Sequence, residues 1–314
     1  MKKLFIAIMA VAAAVSCSQE LTVDAPKGAA IAFDNAFVEN STRANDLNAN
    51  NLTDFGVYGF ITNASGEGQI FNNQAVTKSG DAFTYSPAQY WVANANYYFA
   101  AIAPYSNAKW SYEAVATAPE AGVLTFDNEA AAANQDLLFA YYKRDAVEEI
   151  KAAPAAVAFT FDHILSRVKF SFKNGFAEGQ NLTLDVTNVN ITNANAEGTL
   201  ALEAGALAAQ WAGQTGAFNV AFGNAGATLA ATAVGTTEHF YLIPADAYEY
   251  NVTFDITIYQ AGVKLDTYNR SAKVTVDLLR GNSYELAATL NAYRQRKRNG
   301  NGRTGIKALR MCQR

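Results

Sequence analysis

Two cysteines and two histidines are all that 314 residues offer of the side chains most used for metal binding and nucleophilic catalysis. His163 and His239 stand in no metal-ligand spacing, and Cys17 and Cys312 form no C-x-x-C pair, so the usual zinc-site patterns are missing. No phosphate-cradling P-loop is present, nor the G-x-S-x-G turn that presents a serine nucleophile. Gly66-Glu67-Gly68 lacks the third glycine and the following helix of a dinucleotide loop and reads as a turn. Asp and Glu residues are scattered, and nothing marks two of them as the acid and base of a glycosidase. His163 follows Phe159-Thr160-Phe161-Asp162 and reads as a hydrogen-bonded residue at a strand end rather than a catalytic base. Trp91 after Tyr90 has the shape to stack on a sugar, although core or rim packing is the simpler role for it. The expectation is a protein with no metal, no cofactor and no enzymatic chemistry.

Long apolar runs are equally scarce. Leu4 to Val15 is one, twelve residues behind the positive charges of Lys2 and Lys3. A membrane-spanning helix needs about 20 apolar residues, so this run reads as a secretory signal and not a span. Ala14-Val15-Ser16 supply small residues before Cys17, and the chain turns polar at Ser18-Gln19-Glu20. A cysteine directly behind such a site resembles the lipobox of bacterial lipoproteins, although Ala14 stands where that pattern usually has leucine. The resemblance implies that residues 1–16 are removed as a signal peptide and that Cys17 is acylated, for example by palmitate. An ordinary signal peptide with an incidental cysteine is the alternative. Several acyl chains, at about 0.8 kcal/mol per buried methylene, would hold a protein stably on a membrane. With Cys17 so used, Cys312 has no partner in the chain, and stability must come from packing.

Half of the residues are hydrophobic and only 17% are charged, which describes a globular chain rather than a disordered one. Its length suits two domains with a core each. The formal charge of −4 conceals a split. Residues 293–314 hold eight Lys or Arg and no acid; removing them leaves 16 basic against 28 acidic residues, a formal −12. An exported protein makes nucleic acid an implausible partner for the basic run, and no nucleic-acid role is expected.

Periodicity after the leader is mostly two, the spacing of strands whose alternate side chains face a core. Val168, Phe170 and Phe172 share one face, as do Val252, Phe254, Ile256 and Ile258, then Val274, Val276 and Leu278, then Tyr284, Leu286, Ala288 and Leu290. Leu182, Leu184 and Val186 are in phase, but Val189 and Ile191 are out of it. A one-residue slip flips every later side chain, so the pattern predicts a β-bulge near Thr187-Asn188. Phe55 to Ile61, Tyr97 to Ile102, Val123 to Phe126 and Leu137 to Tyr142 read as further strands, punctuated by Asn63-Ala64-Ser65-Gly66 and Ser79-Gly80-Asp81. Ala130 to Ala133 and Ala204 to Ala209 have the composition for a helical turn or two. Ala152-Ala153-Pro154 interrupts the pattern and marks a domain boundary, dividing 44–155 from 156–292. Many short strands with regular turn signals predict an all-β chain of two β-sandwiches.

Several segments, in order, resemble the fimbrillin family of Bacteroidetes, the subunits of the pili called type V. Asp54-Phe55-Gly56-Val57-Tyr58-Gly59-Phe60, Tyr90-Trp91 with Tyr97 to Tyr105, and Asp136-Leu137-Leu138-Phe139-Ala140 are three of them. The most specific is His163-Ile164-Leu165-Ser166-Arg167-Val168-Lys169-Phe170, because family members carry a similar H-x-L-S-x-V-x-F run. The likeness covers roughly residues 30 to 292. It implies two tandem transthyretin-like Greek-key β-sandwiches and a structural role in a surface pilus that supports adhesion. It also implies export through the periplasm to the cell outer membrane, and partners in other pilus subunits and an arginine-specific protease. In such subunits the protease removes an N-terminal strand, and a strand from another subunit fills the groove, a form of β-strand addition.

The sequence has parts that suit this scheme. Ala29-Ala30-Ile31-Ala32-Phe33 has Ile31 and Phe33 on one face and serves as the candidate removable strand within a lipidated segment 17–43. Arg43, followed by Ala44, lies in a polar stretch and is the only basic residue between Lys27 and Lys78, which makes the Arg43–Ala44 bond the candidate cleavage point. The other end departs from the family. Residues 293–314 lack strand-like alternation and read as a basic, solvated tail. A subunit that donates no strand, a truncated or frameshifted gene, and an atypical tail are three readings of it. A surface lipoprotein that binds a glycan or host ligand without polymerising is the competing function.

Overall fold

The computed structural model describes residues 29–34, 37–38, 47–80, 82–106, 109–115, 117–130, 134–146, 154–294, 304–307 and 311–313. The front half supplies β1 (Phe37–Val38), β2 (Asp54–Asn63), β3 (Gly66–Ser79), β4 (Ala82–Thr84) and β5 (Asn96–Ala103). It continues with β6 (Trp110–Ala114), β7 (Gly122–Asp127), β8 (Leu138–Arg144) and β9 (Thr160–His163). Seven of these form one sheet in the order β1-β9-β8-β5-β2-β3-β4. All its pairings are antiparallel except β1 with β9.

The long apolar runs at the centre of this sheet follow from its burial on both faces. Along β2, Phe55 and Val57 enter one core while Tyr58 and Phe60 enter another. On β5, Tyr97, Phe99 and Ala101 alternate in the same way with Ala100 and Ile102. Because side chains point to opposite faces with a period of two, a strand covered on both sides has no polar positions to alternate with. Gly59 interrupts β2 for space: a Cβ there would meet the Phe71 ring at 2.6 Å and the Phe99 ring at 3.0 Å.

The back half begins with β10 (Ser166–Asn174), β11 (Leu182–Ala194), β12 (Glu197–Glu203), β13 (Ala206–Leu207) and β14 (Ala212–Thr215). It goes on through β15 (Phe218–Gly223), β16 (Gly226–Leu229), β17 (Val234–Thr236), β18 (Phe240–Leu242), β19 (Tyr248–Gln260) and β20 (Val263–Val276). The last strands are β21 (Ser283–Arg294), β22 (Thr304–Lys307) and β23 (Met311–Gln313). One sheet runs β17-β10-β21-β22, the other β15-β11-β19-β20. Between them lies a core in which Val168, Phe170, Phe172, Leu286 and Leu290 meet Leu184, Val186, Phe254 and Ile256. β10 and β21 run parallel, in register from Arg167↔Ser283 to Asn174↔Leu290.

A fourth sheet, β13-β12-β7-β6, joins strands from the two halves of the chain, with β12 antiparallel to β7 from Glu197↔Asp127 to Leu202↔Gly122. It covers the second face of the seven-stranded sheet, where Tyr112, Leu124 and Phe126 pack with Leu200, Leu202 and Trp211. The Trp211 indole N–H donates to the Ile164 carbonyl at 2.8 Å, which fixes this layer to the start of the back half.

Among the described residues the architecture is all-β, and the predicted strands are present. The predicted bulge is there too. Thr187 pairs with Asp255 but Asn190 with Thr253, one residue too many on β11, and Asn188 takes a positive φ of 51°. Two expectations need correction. Ala204 to Ala209 is no helix: Ala204 and Gly205 have positive φ, 49° and 76°, and turn the chain into β13. The tail is not simply solvated either. β22 pairs with β21 at Asn291–Arg294 and β23 with β21 at Leu286–Ala288, both antiparallel. Backbone N–H and C=O groups along the free side of β21 accept any extended neighbour, so this pairing needs no alternation of apolar side chains.

Candidate functional site

Cys17, Arg43 and Ala44 lie outside the described residues. Ala29, Ile31 and Phe33 lie inside them, and the segment 29–34 is the feature of the front half that stands apart. It lies across the first face of the seven-stranded sheet, between two stretches of chain distant from it in sequence. On one side Ile31 N–H donates to the Gln89 carbonyl at 2.8 Å and Trp91 N–H to the Ala29 carbonyl at 3.0 Å, around an antiparallel Ala30↔Tyr90 bridge. On the other side Asp34 N–H donates to the Val157 carbonyl at 3.0 Å and Val157 N–H to the Ala32 carbonyl at 2.7 Å, around a parallel Phe33↔Val157 bridge. The Tyr85 hydroxyl adds a bond to the Ile31 carbonyl at 2.7 Å. Burial raises the Tyr85 hydroxyl above the ordinary phenol range, against a smaller lowering by its backbone contact at Gln89, so it remains a donor at neutral pH.

Side chains of the segment alternate strictly. Ile31 and Phe33 are 2% and 4% exposed, whereas Ala30, Ala32 and Asp34 face outward. Phe33 sits among five aromatic rings. It stacks on Phe159 at 5.6 Å and meets Phe55 and Phe99 edge-on at 6.0 and 6.3 Å. Phe71 at 5.8 Å and Tyr85 at 5.5 Å complete the set. The space for this box exists because Gly59 lacks the side chain that would displace the Phe71 and Phe99 rings.

A second cluster holds the chain where it re-enters the front half. The buried Asp136 carboxylate accepts the Leu47 N–H at 3.2 Å, the Leu137 N–H at 2.9 Å and the His163 ring at 2.8 Å. His163 ends β9 and lies opposite Leu138 of β8, so two neighbouring strand ends bring the pair together. The sequence reading of His163 as a hydrogen-bonded strand-end residue matches this geometry. Its partner Asp136 lies 27 residues away, directly before the strand run that begins at Leu137, a place the sequence does not mark as a partner of His163. The polypeptide is thus pinned at Val38, buried beside Phe161, and again at Leu47. Arg43 lies in the stretch between.

Trp91 is 2% exposed and packs on Tyr97 at 4.6 Å, with the Arg144 guanidinium 4.5 Å from its ring, so it is a core residue and not a sugar platform. The open clefts at Asn128, Asn134 and Tyr241, and at Thr62, Tyr98 and Glu120, align no nucleophile with a base. Among the described residues no three His, Cys, Asp or Glu side chains gather as a metal site would require.

The family model for fimbrillin-like proteins matches residues 42–307. Among solved structures, a fimbrial protein from Bacteroides vulgatus superimposes with a TM-score of 0.57 at 15% identity, over 88% of this chain and 98% of that one. A candidate cell adhesion protein from Bacteroides uniformis gives 0.45 at 15% identity, over 88% and 97% of the two chains. The fimbrial anchor protein Mfa2 from Porphyromonas gingivalis gives 0.40 at 9% identity, over 90% and 97%. No curated protein sequence matches the chain significantly. The chain belongs to the fimbrillin-like family, whose members are pilus or adhesin proteins and not enzymes.

Proposed function

We propose that this subunit is exported as a lipoprotein acylated on Cys17 and cut between Arg43 and Ala44 by an arginine-specific protease. It then polymerises as another subunit's strand replaces residues 29–34. One observation carries the reading: a short segment is paired on both sides with distant chain, buries two side chains in a core, and joins its domain through the stretch that holds Arg43. The magnitudes suit exchange. Four main-chain hydrogen bonds and the one from the Tyr85 hydroxyl, at about 1 kcal/mol net each, with two buried side chains at about 2–3 kcal/mol each, are gains of about 10 kcal/mol. Ordering six residues costs about 6–12 kcal/mol, so for residues 29–34 the two sides nearly cancel. Strand β1, freed by the same cut, adds the burial of Val38 and its pairing with β9. While the chain is intact, the tether holds the segment in place. Once it is cut, a strand of similar chemistry at high local concentration displaces it.

On this reading the two sandwiches, residues 44–155 and 156–292 with the stretch through β9 lent to the first, form the body of the subunit, and the lipid on Cys17 serves delivery to the outer membrane. The test is limited digestion of the full precursor with an Arg-specific protease. Expected are a cut after Arg43, loss of the N-terminal piece and SDS-resistant ladders, with Arg43→Ala leaving a full-length precursor. A chain that is cut there and stays monomeric with the segment in place is no exchange subunit.

A further inference from the structure

We infer that the groove selects its incoming strand by side chain, requiring a large aromatic residue two positions after a branched aliphatic one. This rests on the exchange reading above and adds what the exchanged strand must be. The Phe33 site is walled by Phe55, Phe71, Tyr85, Phe99 and Phe159, with centroids 5.5–6.3 Å from the Phe33 ring. A stacked face on Phe159 and edges toward Phe55 and Phe99 form a cavity shaped for a flat ring. An aliphatic or small side chain would leave part of it empty, and vacated core volume weakens association because the walls relax only partly. Ile31 occupies the neighbouring inward position with 2% exposure. At the outward positions Ala30 and Ala32 present only methyl groups to solvent, so no selection acts at those two.

Direction is selected as well. The strand runs antiparallel to 89–91 and parallel to the chain at Val157, so a reversed strand would face the opposite ladder at both edges. The requirement separates partners. Residues 294–314 of this chain contain no Phe, Tyr or Trp. Their inward-spaced candidates, such as Ile306 with Ala308 or Leu309 with Met311, offer nothing for the ring site. The strand that fits is an extended peptide with an aliphatic-x-aromatic core, supplied by a chain other than a second copy's basic tail.

The experiment uses the full chain with a unique protease site placed within residues 39–46, so that it does not depend on cleavage at Arg43. After cutting, fluorescent peptides are added in excess and uptake is followed by anisotropy. They are residues 27–38, the same peptide with Phe33→Leu, the same with Phe33→Ala, and residues 303–313. The residue 27–38 peptide should be taken up. Phe33→Leu should weaken uptake about tenfold and Phe33→Ala about a hundredfold or more, with the tail peptide no better than the alanine variant. Equal uptake of the phenylalanine and alanine peptides, or a tail peptide that binds as tightly as residues 27–38, would overturn the selection. If a cut chain with intact amide protection in β11 and β19 takes up no peptide at all, including residues 27–38, the exchange reading itself fails and takes this inference with it.

Discussion

Two of the three cores among the described residues are closed in different ways. In the back half, Phe172, Phe254, Ile256 and Leu290 are covered by strands that belong to the continuous stretch from β10 to β21. In the front half, Phe55, Phe71, Phe99 and Phe159 are covered by Phe33, on a six-residue segment that reaches the rest of its domain through residues 39–46. Both cores are aromatic and tightly buried, yet one depends on chain that a single cut would detach. Burial alone therefore does not distinguish a core closed by continuous chain from one closed by a segment that a single cut would free. The path of the backbone does.

The sharpest way to break this contrast is to empty the Phe33 site. Phe33→Ala should cost about 3–5 kcal/mol, read as earlier urea unfolding. Hydrogen exchange should speed up in β2 and β5 while β11 and β19 keep their protection. Equal loss of protection in both halves would mean that the shared sheet β13-β12-β7-β6 makes the molecule one cooperative unit. A smaller effect is expected from Asp136→Ala, which removes the acceptor for Leu47 N–H, Leu137 N–H and the His163 ring and should cost about 2–3 kcal/mol. Its signature would be faster proteolysis near Leu47, ahead of any change in the back half. Least of all should follow from ending the chain at Arg294. The lost β22 and β23 contacts lie on the free side of β21, and the unfolding free energy should fall by about 1 kcal/mol or less. A loss above about 3 kcal/mol would show the tail to be part of the back core.

Much of the strand content was legible because it rests on local alternation. The phase slip between Val186 and Val189 is visible in sequence, since a bulge must shift which side chains face the core, and β11 carries it at Asn188. The pairing of β12 with β7 was not legible. Strands some 75 residues apart carry no mark of which edge they join, and main-chain bonds are indifferent to the side chains that accompany them. For the same reason β22 and β23 are not legible in the sequence: the basic run is without apolar alternation, yet it still offers a backbone to β21. Ala204 to Ala209 misled in the other direction, because alanine's helix propensity yields to a turn that Gly205 makes possible. At the candidate site, the inward face of Ile31 and Phe33 could be read from their spacing, but the five-ring box could not. Its walls come from β2, β3, β5 and the chain near Tyr85 and Phe159, which only the fold brings together.

The parallel ladder between β10 and β21 bears on how such a subunit carries load. The chain enters the back half at the start of β10 and leaves its sandwich at the end of β21, and these two points lie at opposite ends of the ladder from Arg167↔Ser283 to Asn174↔Leu290. Tension applied between the start of β10 and the end of β21 would therefore pull the two strands lengthwise past each other. All the rungs then resist together, whereas a hairpin pulled open from its end yields them one at a time. Force applied at those two points would meet the whole ladder of the back half at once.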